Sequence, residues 1–555
     1  MHFIQGNNRK QTHLFPLTME DAIDSDNEVR LIDLFVDSIH LNDFDFAIKV
    51  TSEGRPAYHP TDLLKLFIYG YLNRIRSSRK LEKECRRNIE LIWLLKGLVS
   101  DHNTISAFRK DNAKAIKQVF RYTVSMAKNF DLIGGKLIAG DSTKLRAENS
   151  KKNNYNPKKI ERQLAYIEEK LEAYTRALAE ADQDNQEQIR KEITKQQGRK
   201  VHYHALEKQL EETGEPQVST SDPDSRQLIT RNNITEVAYN VQTTVDAKHC
   251  LPVDYKVTNQ NDSKAMGGML RRAKSILKTT DFTALYDKGY HTGSELKTGI
   301  DLGITILVAI PEVASNAPDT AYNVADFRYD EIKDTFTCPQ NHILMTNGNW
   351  YQKNRGKSFT QVKHYKTNAC TSCPAKELCT RNPKGRLIER SEHAPYIEQN
   401  KQNIEADPPT YKRRQAIVEH PYGTIKRQWG FYHILTKKGI KRASADVGLI
   451  FIAYNLRRLM NILDKNILKA YLERLALFFV VKKVLFNSYT FGLRLPKNFL
   501  YHPVILKQQL KTPHINCTFS EMGVFRRTAV TCKRRTTESA NINRQKNRRK
   551  NANAS

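Results

Sequence analysis

The sequence predicts a mixed α/β protein, an open sheet with helices on its faces and an all-helical segment in front of it. Three observations predict this. Residues 1–130 place apolar side chains at helical spacing. From Lys136 the period changes, and strand-like runs alternate with helical ones in the order strand, insert, hairpin, helix, strand, helix, strand. Of the 555 residues, 39% are hydrophobic and 27% charged, enough apolar material for real cores. A prior of about 150 residues per domain suggests three or four units.

The helical segment opens at His59-Pro60-Thr61-Asp62, an N-cap cluster before Leu63, Leu64, Leu66, Phe67, Tyr69 and Leu72. A second helix is expected over Leu81–Leu95, with basic residues on one face. Asp101-His102-Asn103-Thr104 then caps a short helix at Ile105–Arg109, as in helix-turn-helix units. An ordinary helical bundle fits the same pattern equally well.

Lys136–Arg146 reads as the first strand, with Asp141 in it. Asn156-Pro157 caps a long polar helix whose Leu164, Ile167, Leu171, Tyr174 and Leu178 form a seam. Ile189, Ile193, Leu206 and Leu210 supply a returning helix, so a helical hairpin is inserted over about 156–212. Val237–Val245 and Leu251–Val257 alternate about a turn at Asp246–His249, a β-hairpin pattern. Phe282–Tyr286 is a short strand ending at Asp287, and a helix follows from about Ser294. Ile304–Ile310 is an apolar strand closed by Pro311. Residues 312–408 read as irregular. Helical character resumes at 410–430, and Ser444–Leu463 is an apolar helix expected to pack on the sheet. The last thirty residues, 526–555, hold ten Lys/Arg and one acid, Glu538, and read as a disordered basic tail.

Ninety Lys+Arg against 60 Asp+Glu give a net charge of +30, which points to a polyanionic partner. Nucleic acid is favoured over an anionic membrane surface. No stretch spans about 20 apolar residues, so a membrane-embedded chain is not expected. The start of the chain shows no apolar signal core, and eight cysteines in this length are no disulfide framework. A reduced cytoplasmic setting follows. Cys370 and Cys373 form a C-x₂-C pair, Cys379 lies six residues on, and Cys338 stands upstream with His342. Four thiolates, or three and His342, match a tetrahedral zinc site that would staple the irregular segment; four free thiols are the alternative. Cys85, Cys250, Cys517 and Cys532 are scattered.

Three acids stand out by position. Asp141 sits on a strand between Gly140 and Ser142, Asp287 ends a strand before Lys288-Gly289-Tyr290, and Glu419 lies in a helix among cations. Hard divalent cations take oxygen ligands, and Mg²⁺ combines one or two carboxylates with substrate phosphates. Two such ions about 3.5–4 Å apart serve both the attacking and the leaving oxygen of a phosphodiester. Each acid also has a plainer reading: Asp141 as a turn residue, Asp287 as an N-cap, and Glu419 as a surface partner of Arg414 or Lys426.

IAGDSTKLRA, ALYDKGYHTGSEL and RRQAIVEHPYGTIKRQWGF resemble the three acidic blocks of bacterial insertion-sequence DDE transposases. TEVAYNVQTTVDAKHCLPVDYKVTNQNDS resembles the strand pair between the first two blocks, and GRPAYHPTDLLKLFIYGYLNRIRSSRKLEKECRRN their N-terminal helical domain. The resemblance covers roughly 1–463. It implies a ribonuclease H-like mixed-sheet catalytic core over 131–465, interrupted by inserts at about 156–212 and 312–408. A helical DNA-binding domain over 1–130 and a basic extension over 466–555 flank that core.

The resemblance further implies two Mg²⁺ ions, with Mn²⁺ as a substitute, held by Asp141, Asp287 and Glu419. Cleavage at the element's ends would free a 3′-OH that attacks target DNA. Tyr411, Arg414, Glu419 and Lys426 resemble the Tyr-Arg-Glu-Lys signature around the third acid, with an Arg-to-Glu gap one residue longer than usual. By the same resemblance Arg414 and Lys426 contact phosphates and Tyr411 stacks or hydrogen-bonds there. The implied partners are double-stranded terminal repeats and target DNA, bound by a homodimer on paired ends in a bacterial cytoplasm, associated with the nucleoid. Relatives often carry a cysteine cluster like that at Cys338, Cys370, Cys373 and Cys379. A nucleic-acid-binding protein without catalysis, and a ribonuclease H-fold nuclease that does not join strands, are the alternative readings.

Overall fold

Asn27, His59, Asn88 and Asp101 each open a helix by accepting a backbone N–H with the side chain. The helices are α1 (Glu28–Asp37), α2 (Pro60–Leu72), α3 (Ser78–Arg87), α4 (Ile89–Leu94) and α5 (His102–Asp111), followed by α6 (Ala113–Asn129). The single helix expected over 81–95 is two. Asn88 is extended at ψ 117° and its carboxamide accepts from Glu90 and Leu91, so the cap competes with helix continuation. In the computed structural model the described residues are 18–39, 41–47, 56–229, 234–312, 317–355, 358–435 and 438–490. The basic tail expected over 526–555, with Cys517 and Cys532, lies outside them.

The main sheet is built from β1 (Leu137–Arg146) and strands that return to it after long excursions. Between β1 and its first neighbour lie β2 (Asn154–Tyr155), α7 (Pro157–Glu180), α8 (Gln183–Thr213) and β3 (Val218–Ser219). Helices α7 and α8 pack along Ile160, Ile167, Tyr203, Leu206 and Leu210, the seam of the hairpin. Then come β4 (Arg226–Ile229), β5 (Thr235–Asp246), β6 (Leu251–Thr258), α9 (Met266–Leu277), β7 (Thr283–Tyr286), α10 (Gly293–Asp301) and β8 (Thr305–Val308). The strand order is β6-β5-β1-β7-β8, with β4 also on β5. Strand β5 runs antiparallel to β1 and β6, whereas β1, β7 and β8 are mutually parallel. The fold class is therefore mixed α/β with a mixed sheet.

Residues 317–391 are not irregular. They hold a five-stranded antiparallel sheet of β9 (Arg328–Asp330), β10 (Thr335–Thr337), β11 (Ile343–Arg355), β12 (Ser358–Lys366) and β13 (Ile388–Ser391). Its strands are rich in Asn, Lys and Gln and expose Ile343, Met345 and Phe359, so neither propensity nor alternation marked them. Its small core is Phe327, Phe336, Leu344, Tyr365 and Ile388. Helix α11 (Lys376–Cys379) lies within it, and α12 (Ala394–Ala406) leads back to the main sheet.

Helix α13 (Pro408–Tyr422) then runs on through Pro421 into a π-helical turn at Gly423–Gln428. Proline lacks the N–H that an α-helix needs there, and the widened turn follows directly. Helix α14 (Ile440–Ile462) is buried almost all round and packs on α6, α2 and β6. It shares one continuous core with α1–α6, β5 and β6. Inside that core Asp446 accepts from Tyr71 and Arg76, with Arg109 at 3.5 Å, tying α14 to the N-terminal helices. Helix α15 (Lys465–Thr490) follows. Among the described residues no helix is long and apolar enough to cross a membrane.

Candidate functional site

The register of β1 and β7 assembles the site. These strands pair in parallel with Ala139 opposite Leu285. Two residues further along each chain stand Asp141 and Asp287, so a parallel pair brings both carboxylates to one end of the sheet. Gly140 permits the approach. A Cβ there would lie 2.0 Å from the Tyr286 ring, so any side chain would push β7 away. Asp287 also caps a short 3₁₀ turn, accepting from Gly289 N at 2.9 Å, so the plainer reading of this residue holds as well.

Helix α13 lies across this end. Arg414 Nη1 donates to Asp141 Oδ2 at 3.3 Å, and the hydroxyl of Tyr422, two turns later, donates to the Asp141 carbonyl at 3.2 Å. Tyr411 lies beside Arg414, one turn earlier on α13. Lys426 donates to the Lys144 carbonyl at 3.0 Å, further along β1. Arg414, Tyr422 and Lys426 thus follow β1 from its aspartate outward. Burial pulls the Lys426 ammonium down to about 8, helped by Lys144.

Burial pushes Asp141 up to about 6; Arg414 opposes the shift, and Asp287 and Asp262 add to it. A largely desolvated carboxylate among two others resists its own charge, and one guanidinium does not fully offset this.

Asp262 was not singled out from sequence. It follows β6 in the Asn-Gln-Asn-Asp run and accepts from Asn240 at 2.7 Å, Gln242 at 2.6 Å and Lys144 at 3.0 Å. Burial raises its pKa, but Lys144 and these bonds outweigh burial and hold it below the ordinary value. The readable signal was the polar pair Asn240 and Gln242, buried on a central strand where apolar residues would be expected. Lys144 and Tyr422 were missed likewise.

Glu419 stands apart from the two aspartates. It is exposed on α13 and accepts from Gln415 one turn back at 2.8 Å, rather than from Arg414 or Lys426. Among the described residues no three His, Cys, Asp or Glu side chains stand close enough together to hold a metal ion. Asp141 and Asp287, with Arg414 and Tyr411 beside them, form the assembled part of the expected set.

In the second sheet Cys338, Cys370, Cys373 and Cys379 line one small cavity together with His342 and Arg386. All four are free thiols. His342 N donates to Cys338 Sγ at 3.3 Å. Burial raises the Cys379 thiol; Arg386 opposes this, and the three neighbouring cysteines add to it.

Two segments match family models. Residues 17–111 match a transposase domain (DUF772), and residues 337–460 match a transposase DDE domain. The second match contains Tyr411, Arg414, Glu419, Lys426 and the four cysteines. Asp141 and Asp287 lie between the two. No curated protein matches the chain. Among solved structures, the piggyBac transposase synaptic complex with hairpin DNA aligns over 89% of this chain and 87% of that one, at 9% identity and a TM-score of 0.26.

Proposed function

We propose that this protein is a DDE transposase that cuts the ends of a DNA element and joins the freed 3′-OH to target DNA. The observation that carries the reading is the convergence of Asp141 and Asp287 under Arg414, a residue of the segment that matches a transposase DDE domain. The strand order, three antiparallel strands followed by two parallel ones, supports a ribonuclease H-like core.

The donor set fits hard divalent cations. Asp141 and Asp287 offer carboxylate oxygens, the ligands such ions take. Asp141, Asp287 and Glu419 would hold two Mg²⁺ ions, or Mn²⁺ in their place, and Glu419 would swing from Gln415 to do so. Bound there, the metal would activate the attacking oxygen and stabilise the leaving one. The protein's own groups do the rest. Arg414 and Lys426 contact phosphates near the cleavage point, and Tyr411 stacks or hydrogen-bonds there beside Arg414. Lys144 lies beside Lys426 on the same approach. A homodimer on paired element ends is the assembly this chemistry needs, and both element ends and target are duplex DNA.

The four cysteines have the donor chemistry of a structural zinc site, and their side chains would have to draw closer together to form it. They share one cavity, and an amide already donates to Cys338, the contact a thiolate accepts. Cys338, Cys370, Cys373 and Cys379 would hold it and staple a sheet whose own core is small.

The test is substitution. Asp141→Asn, Asp287→Asn and Glu419→Gln are each expected to abolish strand cleavage while leaving DNA binding. A variant that cuts a terminal-repeat substrate at the normal rate removes that residue from the site.

A further inference from the structure

A second polar cleft lies on the far flank of α13. It has a volume of about 420 Å³ and is lined by residues of α2, α13, the π-turn and α14. Three arginines meet there: Arg74, Arg457 and Arg458. His420 of α13 with Thr424 and Gln428 of the π-turn, spaced at four residues, form one wall. No acid lines it.

Several donors in this cleft are unused. Arg457 is paired with Glu28 at 2.7 Å, and Arg458 gives one nitrogen to the His249 carbonyl at 2.9 Å. Arg458 Nε is buried with no partner. Among the described residues, Arg74, Gln428 and Asn461 are exposed and make no side-chain hydrogen bond. A buried N–H without an acceptor, as at Arg458 Nε, costs about 1–3 kcal/mol, so a ligand that supplies an acceptor is favoured at this spot.

Arg74 carries a second sign. It follows α2 at φ +64°, left-handed backbone that suits glycine. The helix end needs that conformation, since Ile75 N turns back to the Gly70 carbonyl at 2.6 Å. An arginine there keeps a strained backbone whose cost is of order 1 kcal/mol, and it places its guanidinium in the cleft.

We propose that this cleft binds a phosphate of the DNA backbone, outside the acid site, and so sets where the strand lies relative to α13. Glu419 and His420 are consecutive, so a strand anchored here passes the helix that carries the third acid. Arg74 and Arg458, which pair with no acid among the described residues, fit a phosphodiester beside Arg457, and Gln428 and Asn461 supply neutral donors. The inference deepens the transposase reading and rests on it.

The experiment measures binding of the full chain to a random-sequence duplex across a salt series. Arg74→Gly removes the guanidinium and relieves the left-handed backbone. Its affinity is expected to fall about 3–10-fold, with the slope of log K against log salt smaller by about 0.9, while its melting temperature holds or rises. Gln428→Glu is expected to weaken binding and Gln428→Lys to tighten it. If both Arg74→Gly and Gln428→Glu bind with wild-type affinity and slope while folded, the cleft is no phosphate site. If wild-type protein itself binds no duplex, the transposase reading falls with it. If wild-type protein binds and these variants match it, only the cleft is lost.

Discussion

Arg414 Nη1 reaches Asp141 Oδ2 at 3.3 Å across 273 positions of sequence. Both side chains are largely shielded from water. A guanidinium placed on a desolvated carboxylate is a held position, because removing either partner leaves the other charge buried. It also blocks Asp141 until something else takes the charge, which a cation and a phosphate would do together.

The raised pKa of Asp141 has two consequences. A carboxyl with a folded value near 6 and an unfolded value near 3.8 binds protons more tightly when folded. Stability from this group is therefore complete at acid pH and is lost as pH rises from about 4 to 6. Asp141→Asn removes this pH dependence while cleaving nothing, and it leaves Arg414 without its carboxylate. Scanning calorimetry at pH 5 and 7 checks it: a variant that keeps the full wild-type loss of stability between the two contradicts the assignment. Metal-dependent cleavage should also decline below about pH 6 as protons compete for the site.

Asp446 shows the opposite sign. Burial raises its pKa, but Arg76, Arg109 and Tyr71 outweigh burial and bring it below 3.8. Its contribution is complete above about pH 4 and disappears as pH falls through the lowered value. Asp446→Ala strands two buried arginines and is expected to cost about 3–5 kcal/mol at pH 7. Urea unfolding of the variant measures this, and a loss under about 1 kcal/mol means the network is not what ties α14 to the N-terminal helices.

Gly140→Ala places a methyl inside the Tyr286 ring. It should separate β1 from β7, lower stability by about 1–3 kcal/mol and reduce cleavage more than DNA binding. Equal losses in both would point to general unfolding and away from a misplaced Asp141–Asp287 pair.

Freshly purified, reduced protein should contain about one zinc per chain, lost on Cys370→Ser or Cys373→Ser. With zinc gone, proteolysis should first strike within 317–391, whose core is small. Metal analysis that finds no zinc leaves four free thiols.

Much of the main sheet was legible. Alternation marked β5 and β6, and the apolar run marked α14, because each buries a face whose period shows in the sequence. The strand ends marked Asp141 and Asp287 one by one, and only the parallel register brings them together, since no local pattern states which residues stand opposite. The second sheet was not legible. Its strands are short or expose polar residues on both faces, and Asn347-Gly348-Asn349 inside β11 reads as a turn. Asp262 was hidden for a related reason: its partners Asn240 and Gln242 are polar on a strand buried on both sides, a pattern that periodicity cannot assign. The separation of Glu419 from the aspartates could not be read from helix phase alone.

The most direct test of the central claim is a strand-transfer assay. Labelled duplexes from both ends of the element that carries this coding sequence are incubated with the protein, Mg²⁺ and plasmid target. Label should become joined to target through the freed 3′-OH, with wild-type protein and not with Asp141→Asn, Asp287→Asn or Glu419→Gln. Binding of those ends with neither cleavage nor joining, or joining that survives all three substitutions, would contradict it.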